Sequence, residues 1–171
     1  EAGRTAVLGD PSGARFAVHQ PGDCGAPDIA TGPGMLCWAE LYTTDAAAAG
    51  AFYRAVLSWE TDRHLTIGAH VFSLVRPRGA GPADAHCAAV VQLLPGAVEA
   101  GARSEWHPYI AVLDCDATAA AVAAHGAGVV VPPADVPGVG RVALFTDPFG
   151  ATFGVIAAGA APDGTDDSQR A

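Results

Sequence analysis

The chain has 171 residues, half of them apolar, and a formal net charge of −9. That length suits one domain of ordinary size. The acidity, with no cluster of Lys or Arg, argues against a nucleic-acid partner, and no apolar run is long enough to span a membrane. Many of the apolar residues are Ala, so the core is thinner than the composition suggests. The chain begins without Met and without a basic segment leading into an apolar one, and reads as a processed chain or a fragment. Cys24, Cys37, Cys87 and Cys115 show no C-x-x-C spacing. They read as free or buried thiols in a reducing, cytoplasmic setting rather than as a zinc or disulfide framework.

The first element is a β-hairpin. In "GRTAVLGDPSGARFAVHQPG", Gly3 to Gly22, two alternating stretches flank Asp10-Pro11-Ser12-Gly13, a type I turn pattern. The same hairpin returns near the end, as "GRVALFTDPFGATFGVIAAG", Gly140 to Gly159, with half of its twenty positions identical. A Gly-, Pro- and Asp-rich linker over 23–34 follows the first copy. "MLCWAELYT" then alternates as a strand. Asp45 is placed to cap a helix with Phe52, Val56 and Trp59 on one side. "AHVFSLVRP" and "HCAAVVQLL" read as strands, and "PGAVEAGARSE" as a second linker.

The pattern then restarts. "PYIAVLD" is a strand and "DATAAAVAAHG" a helix, with Asp116 as cap and Gly126 past its end. "GVVVPP" is a short strand, and the closing hairpin follows. Setting Asp45 against Asp116 puts Trp38 opposite Tyr109 and Leu41 opposite Val112. The expected organisation is two β-α-β-β-β units in tandem, over residues 35–95 and 107–158.

"CWAELYTTDAAAAGAFYRAVLSWE" and "YIAVLDCDATAAAVAAHGAGVVVPPADVPGVGRVALFTDPFGATFGVI" together resemble the glyoxalase/bleomycin-resistance/dioxygenase superfamily, the vicinal oxygen chelate proteins. The branch they resemble most carries two such domains in one chain. The resemblance implies an α+β fold in which tandem βαβββ units form a curved eight-stranded mixed sheet, with helices outside and a concave ligand-binding face. On that basis residues 35–158 are one glyoxalase-like domain and residues 159–171, acidic and poor in bulky apolar side chains, a flexible tail. Residues 1–22 look like the closing hairpin of a preceding domain of the same kind. That hairpin is expected to pack on the second-half sheet or, preferably, on a second copy in a homodimer.

Metal enzymes of the superfamily draw His, Gln or Glu donors from four strands. Carried over residue by residue, three of those places fall at Trp38, Tyr109 and Gly154, none an ordinary divalent-metal ligand, and the fourth strand offers only Gln92. No cofactor is therefore expected. Strand parity puts Trp38, Glu40 and Tyr42 on the ligand face, with His107, Tyr109, Thr152 and Gly154. Cys37, Ala39 and Leu41 back onto the helix. Trp38 and Tyr109 stand either as an aromatic slot for a flat ligand or as packing. Glu40 is the candidate catalytic residue, a general base or hydrogen-bond acceptor; the alternative is a solvated carboxylate or one paired with Arg141.

Three classes of function are consistent with these residues. The first is a metal-independent binder of a flat or aromatic natural product, in antibiotic resistance or biosynthesis. The second is a lyase, isomerase or dioxygenase using a divalent metal on displaced donors His70, His86, His107 and Glu40. The third is a degenerate structural domain.

Overall fold

The computed structural model describes residues 3–23, 32–81 and 86–158. The expected tail at 159–171, most of the first linker and Cys24 lie outside the described residues. The chain divides into two compact units. One contains the opening hairpin and Leu36–Tyr109; the other contains Gly32–Met35 and the chain from Ile110 onward.

In the first unit, β1 (Arg4–Gly9) pairs with β2 (Arg15–Gln20) as a two-stranded sheet of its own. Then come β3 (Leu36–Thr43), α1 (Ala46–Leu57), β4 (Trp59–Ile67), β5 (His70–Pro77), β6 (Ala88–Gln92), α2 (Pro95–Glu99) and β7 (Glu105–Ala111). Hydrogen bonds join these strands in the order β4-β5-β6-β3-β7. β7 runs on into the second unit, which holds α3 (Cys115–Ala124), β8 (Gly128–Val136), β9 (Gly140–Thr146) and β10 (Thr152–Ala158), in the order β7-β10-β9-β8. Counted through β7, this is the expected eight-stranded mixed sheet of an α+β fold: β3 is parallel to β6, and β4-β5, β5-β6, β8-β9 and β9-β10 are antiparallel.

Helix α1 starts where Asp45 caps it, its carboxylate accepting from Ala48 N at 2.9 Å. Ala-rich sequence carries it for twelve residues, until Ser58 turns left-handed with φ of 55°. It buries Ala49 and Tyr53 against Leu41, Val75, Ala88 and Val90, the core of the first unit. In the second unit, Cys115 on α3 packs with Ala143, Phe145 and Val155 from β9 and β10.

Four expectations need correction. The cap of α3 is Asp114, which accepts from Ala117 N at 2.9 Å; Asp116 lies in the first turn and binds Arg141. Both acids are competent caps, and the choice is made where the strand ends, with Val112 N still bonded to Ile156 O. Matching Asp45 with Asp114 sets Trp38 against His107 and Glu40 against Tyr109, a shift of two residues that leaves strand parity intact. The stretch read as a second linker holds α2, started by Pro95 at its first turn and too short to show periodicity. β7 begins at Glu105, before the expected Pro108.

The two hairpins share one turn design. Asp10 Oδ1 accepts from Ser12 N and Ala14 N at 2.9 and 3.0 Å, and Asp147 Oδ1 from Phe149 N and Ala151 N at 2.8 Å. Gly13 and Gly150 close them at φ of 92° and 89°, a conformation that favours glycine. The fourth correction concerns where the first copy packs. Its turn end sits on α1 of the first unit, with Phe16 edge-on to Phe52 and Tyr53 at 6.1 and 5.4 Å and Ala14 fully buried. Thr43 Oγ1 reaches Ser12 Oγ at 3.0 Å.

Tyr53 OH donates to Asp10 Oδ2 at 3.2 Å and accepts from Trp106 Nε1 at 2.9 Å. Burial, aided by Asp10, pushes this phenol up to about 12, so it keeps its proton at ordinary pH. Asp10→Ala should therefore destabilise the protein by about 2–4 kcal/mol, because two backbone N–H groups and a buried hydroxyl lose their acceptor together. Asp147→Ala, which strands only the two backbone groups in an exposed turn, should cost about half as much. Urea denaturation of both variants checks the difference.

Candidate functional site: a buried carboxyl among aromatics

β3 lies between β6 and β7. Its alternate residues divide as the period of two requires: Ala39 and Leu41 pack toward α1, while Trp38 and Tyr42 join Leu74, Ala89, Val91, Leu65 and Phe72 in a separate cluster. Glu40 stands between Trp38 and Tyr42 and is only 8 % exposed. Its two oxygens are engaged separately. Trp38 Nε1 donates to Oε1 at 3.2 Å, and Tyr109 OH, 6 % exposed, donates to Oε2 at 2.6 Å.

Burial raises the Glu40 carboxyl above its ordinary range, and the hydrogen bonds of Tyr109, Trp38 and Tyr42 bring it only part of the way back. The same burial, with the carboxylate beside them, raises the Tyr109 and Tyr42 phenols far above theirs. Both tyrosines therefore act as donors at neutral pH. Arg141 is not a partner of Glu40; it holds Asp116 at 2.6 Å and Asp135 at 3.1 Å.

Tyr42 stacks on His107 with centroids 4.8 Å apart, and His70 meets it edge-on at 6.2 Å. His107 Nε2 pairs with Glu105 at 2.8 Å, while the Nδ1 atoms of His107 and His70 are buried without a hydrogen-bond partner. Sequence reasoning missed Glu105, although it stands two residues before His107 on the same strand and so shares its face. His86 is drawn elsewhere, to Asp62 at 2.6 Å, which also holds Arg76 at 2.8 Å.

The first unit thus gathers Trp38, Glu40, Tyr42, His107 and Tyr109 around one carboxyl. Trp38 and Tyr109 are joined through Glu40 rather than ring to ring. Thr152 and Gly154 belong to the second unit, where β10 pairs them with Thr146 and Leu144. A surface cleft of about 320 Å³ in the first unit is lined by Arg54, Ser58, Trp59 and Arg78 and includes none of the Glu40 group.

A family model described as "Glyoxalase-like domain" matches residues 37–156. The chain belongs to the glyoxalase-like domain family. With it, the chain falls in the vicinal oxygen chelate superfamily. It is 36 % identical over 159 residues to CFP32 of Mycobacterium tuberculosis, whose glyoxylase name is provisional; the match covers 91 % of this chain and 56 % of that protein. It is 35 % identical over 166 residues to the anthracycline biosynthesis protein DauV of a Streptomyces species, covering 90 % of this chain and 52 % of that one. The chain therefore spans about half the length of these relatives. Among solved structures, Streptomyces coelicolor methylmalonyl-CoA epimerase aligns with a TM-score of 0.53 at 17 % identity, over 73 % of this chain and 97 % of its own. That likeness establishes the fold.

The glyoxalase-like family brings a metal site into question, and the residues present do not fit one. Trp38 offers an indole N–H that is already donating to Glu40. Tyr109 keeps its proton and donates it to the same carboxyl. Gly154 has no side chain. The corrected pairing of the two halves moves the fifth-strand place from Tyr109 to His107, which supplies one imidazole; the places at Trp38 and Gly154 stay without donors, and Gln92 is engaged by the backbone of Ala46 and Thr44. Among the described residues no group of three or more His, Cys, Asp or Glu side chains is placed to hold a metal ion.

The direction of the Glu40 shift fixes a pH dependence. A carboxyl whose folded pKa is raised contributes its stability below the unfolded pKa, near the ordinary glutamate value of 4.5, and loses it as pH rises through the folded value. Relative to the parent protein, Glu40→Gln should therefore gain in melting temperature between pH 4 and pH 8. Thermal denaturation across that range checks this, and a constant difference between the two proteins would contradict it.

Proposed function

We propose that this glyoxalase-like protein binds a flat, aromatic small molecule without a metal ion, with Glu40 as the polar anchor. The observation that carries the reading is the Tyr109–Glu40 hydrogen bond, buried on a sheet face that also presents Trp38, Tyr42, Phe72, Leu74 and Val91. Apolar rings give a planar molecule contact area, and one buried carboxyl fixes its orientation. The kinship with a protein named for anthracycline biosynthesis points the same way, since anthracyclines are planar aromatic polyketides carrying phenol and quinone oxygens. The setting we propose is cytoplasmic, in the biosynthesis of such a natural product or in resistance to it.

Binding in this reading is an exchange of hydrogen bonds. A phenol of the ligand replaces the Tyr109 hydroxyl at Glu40 Oε2, so the carboxyl passes from one donor to another without being left bare. That matters because an unpaired buried acceptor costs about 1–3 kcal/mol. With its pKa raised, the protonated carboxyl also serves as a donor to a ring carbonyl as pH falls. Trp38 stays on Oε1 and holds the group in place throughout.

The test is calorimetric titration with an anthracycline aglycone, with and without EDTA. Trp38→Ala should weaken binding about tenfold or more, the scale of truncating a buried aromatic anchor, whereas Tyr109→Phe should not weaken it, because the hydroxyl that the ligand displaces is gone. EDTA should leave the affinity unchanged. Unchanged affinity in Trp38→Ala, weaker binding in Tyr109→Phe, or loss of binding with EDTA would overturn the proposal.

A further inference from the structure

The sheet register lines up a second charged residue with Glu40. Glu40 is opposite Ala89 of β6, Ala89 is opposite Leu74 of β5, and Leu74 is opposite Arg63 of β4. Residues paired in this way share one face of a sheet. The neighbouring row on the same face runs Tyr42, Val91, Phe72, Leu65. Apart from Glu40 and Arg63, every member of the two rows belongs to the apolar cluster that also holds Trp38. The cluster thus has a carboxyl at one side and a guanidinium at the other.

Arg63 faces this way because of a β-bulge. Trp59, Glu60 and Thr61 oppose Pro77, Arg76 and Val75 in regular order, but Arg63 opposes Leu74, so Asp62 is one residue in excess. Without that residue Arg63 would oppose Ser73 and share the face of Val75, which packs with α1. The bulge is pinned, with Asp62 holding Arg76 at 2.8 Å and His86 at 2.6 Å. It turns Leu65 into the apolar cluster and sets Arg63 at the cluster's edge. Arg63 is exposed and makes no hydrogen bond or ion pair among the described residues, so its donors are free for a ligand.

We propose that Arg63 is a second anchor of the Glu40 face, taking the carboxylate of a planar aromatic acid whose phenol reaches Glu40. This rests on the binding reading given above and narrows its ligand class. Three strand spacings separate Arg63 from Glu40, about 14 Å from backbone to backbone. A fused polycyclic ring system with a carboxyl group at its far end suits that interval, lying along the half-buried Trp38, Leu65 and Phe72. A guanidinium grips a carboxylate through two parallel N–H donors, and so selects a planar acid group over a neutral polar end. The two anchors also fix direction. A ligand bound the other way round would set its carboxylate against Glu40, which is penalised.

The test is calorimetric titration of the 171-residue chain with two compounds. One is a hydroxyanthraquinone carrying a carboxylate on the ring far from its hydroxyl; the other is its methyl ester. The parent protein should bind the acid about fivefold more tightly than the ester, the upper range for a partly exposed ion pair. Arg63→Gln should abolish that preference by weakening the acid, with a melting temperature within about 1 °C of the parent. Equal binding of acid and ester by the parent would overturn the proposal and leave the Glu40 reading standing; a charge that only guards an outermost strand against pairing gives that result. A preference that survives in Arg63→Gln would overturn it in the same way. Failure of both compounds to bind would overturn it together with the Glu40 reading.

Discussion

A carboxyl in the middle of a buried strand must find donors before that strand can be covered, and Glu40 sets this condition for the first unit. Leaving a buried charge unpaired costs several kcal/mol, more than most single contacts return. The donors come from two directions. Trp38 stands two residues earlier on the same strand and therefore on the same face, while Tyr109 comes from the neighbouring strand. The arrangement holds in only one register. A slip of β3 by one residue would turn Leu41 toward Tyr109 and Glu40 toward the apolar side of α1. Neither donor is a cation, so the carboxyl is satisfied without being neutralised, and its pKa stays raised.

The second constraint acts on the other face of β7. Trp106 and His107 are adjacent and so point to opposite sides. His107 stacks on Tyr42, whereas Trp106 hands its indole N–H to Tyr53, which in turn donates to Asp10 of the opening turn. Phe16, Phe52, Tyr53, Trp59 and Trp106 fill the space around this chain of hydrogen bonds. The strand that carries Tyr109 to Glu40 is thus held from behind by a segment distant in sequence. Loss of the hairpin would loosen the support of the site strand without touching any residue of the site itself.

Much of this was legible in the sequence because it depends on periodicity. The alternation of "CWAELYT" by itself separates Leu41 from Glu40, and the doubled Asp-Pro-x-Gly hairpin announces two turns that share bonds and glycine conformation. What was not legible depends on long-range choices. Asp114 and Asp116 are equally good caps, and only the end of the preceding strand decides between them. A five-residue helix such as α2 has no period to read. The seat of the opening hairpin on α1 depends on Tyr53, whose apolar ring signals core burial while its hydroxyl gives no hint of Asp10. Glu105 and Asp62 were passed over because an exposed-looking acid on a strand becomes a histidine's partner only once the strands are in place.

On the proposed reading the polar anchor of this face is a carboxyl rather than a metal ion, and that alters the physics of recognition. A metal ion attracts any oxygen of suitable charge and tolerates variation in the ligand around it. A carboxyl held between an indole and a phenol acts by direction, because a hydrogen bond weakens steeply as it bends. A site that must hydrogen-bond a hydroxyl discriminates strongly against a molecule lacking one, since its own buried group would then be unpaired. On the proposed reading, selectivity should therefore follow the position of one phenolic oxygen on the ring system more closely than the size of the rings. The flanking apolar residues Phe72, Leu74 and Val91 supply area without direction, and so tolerate changes at the far edge of the ligand. A series of aglycones differing only in hydroxyl placement should then spread widely in affinity. A series differing in alkyl substitution away from that hydroxyl should spread little.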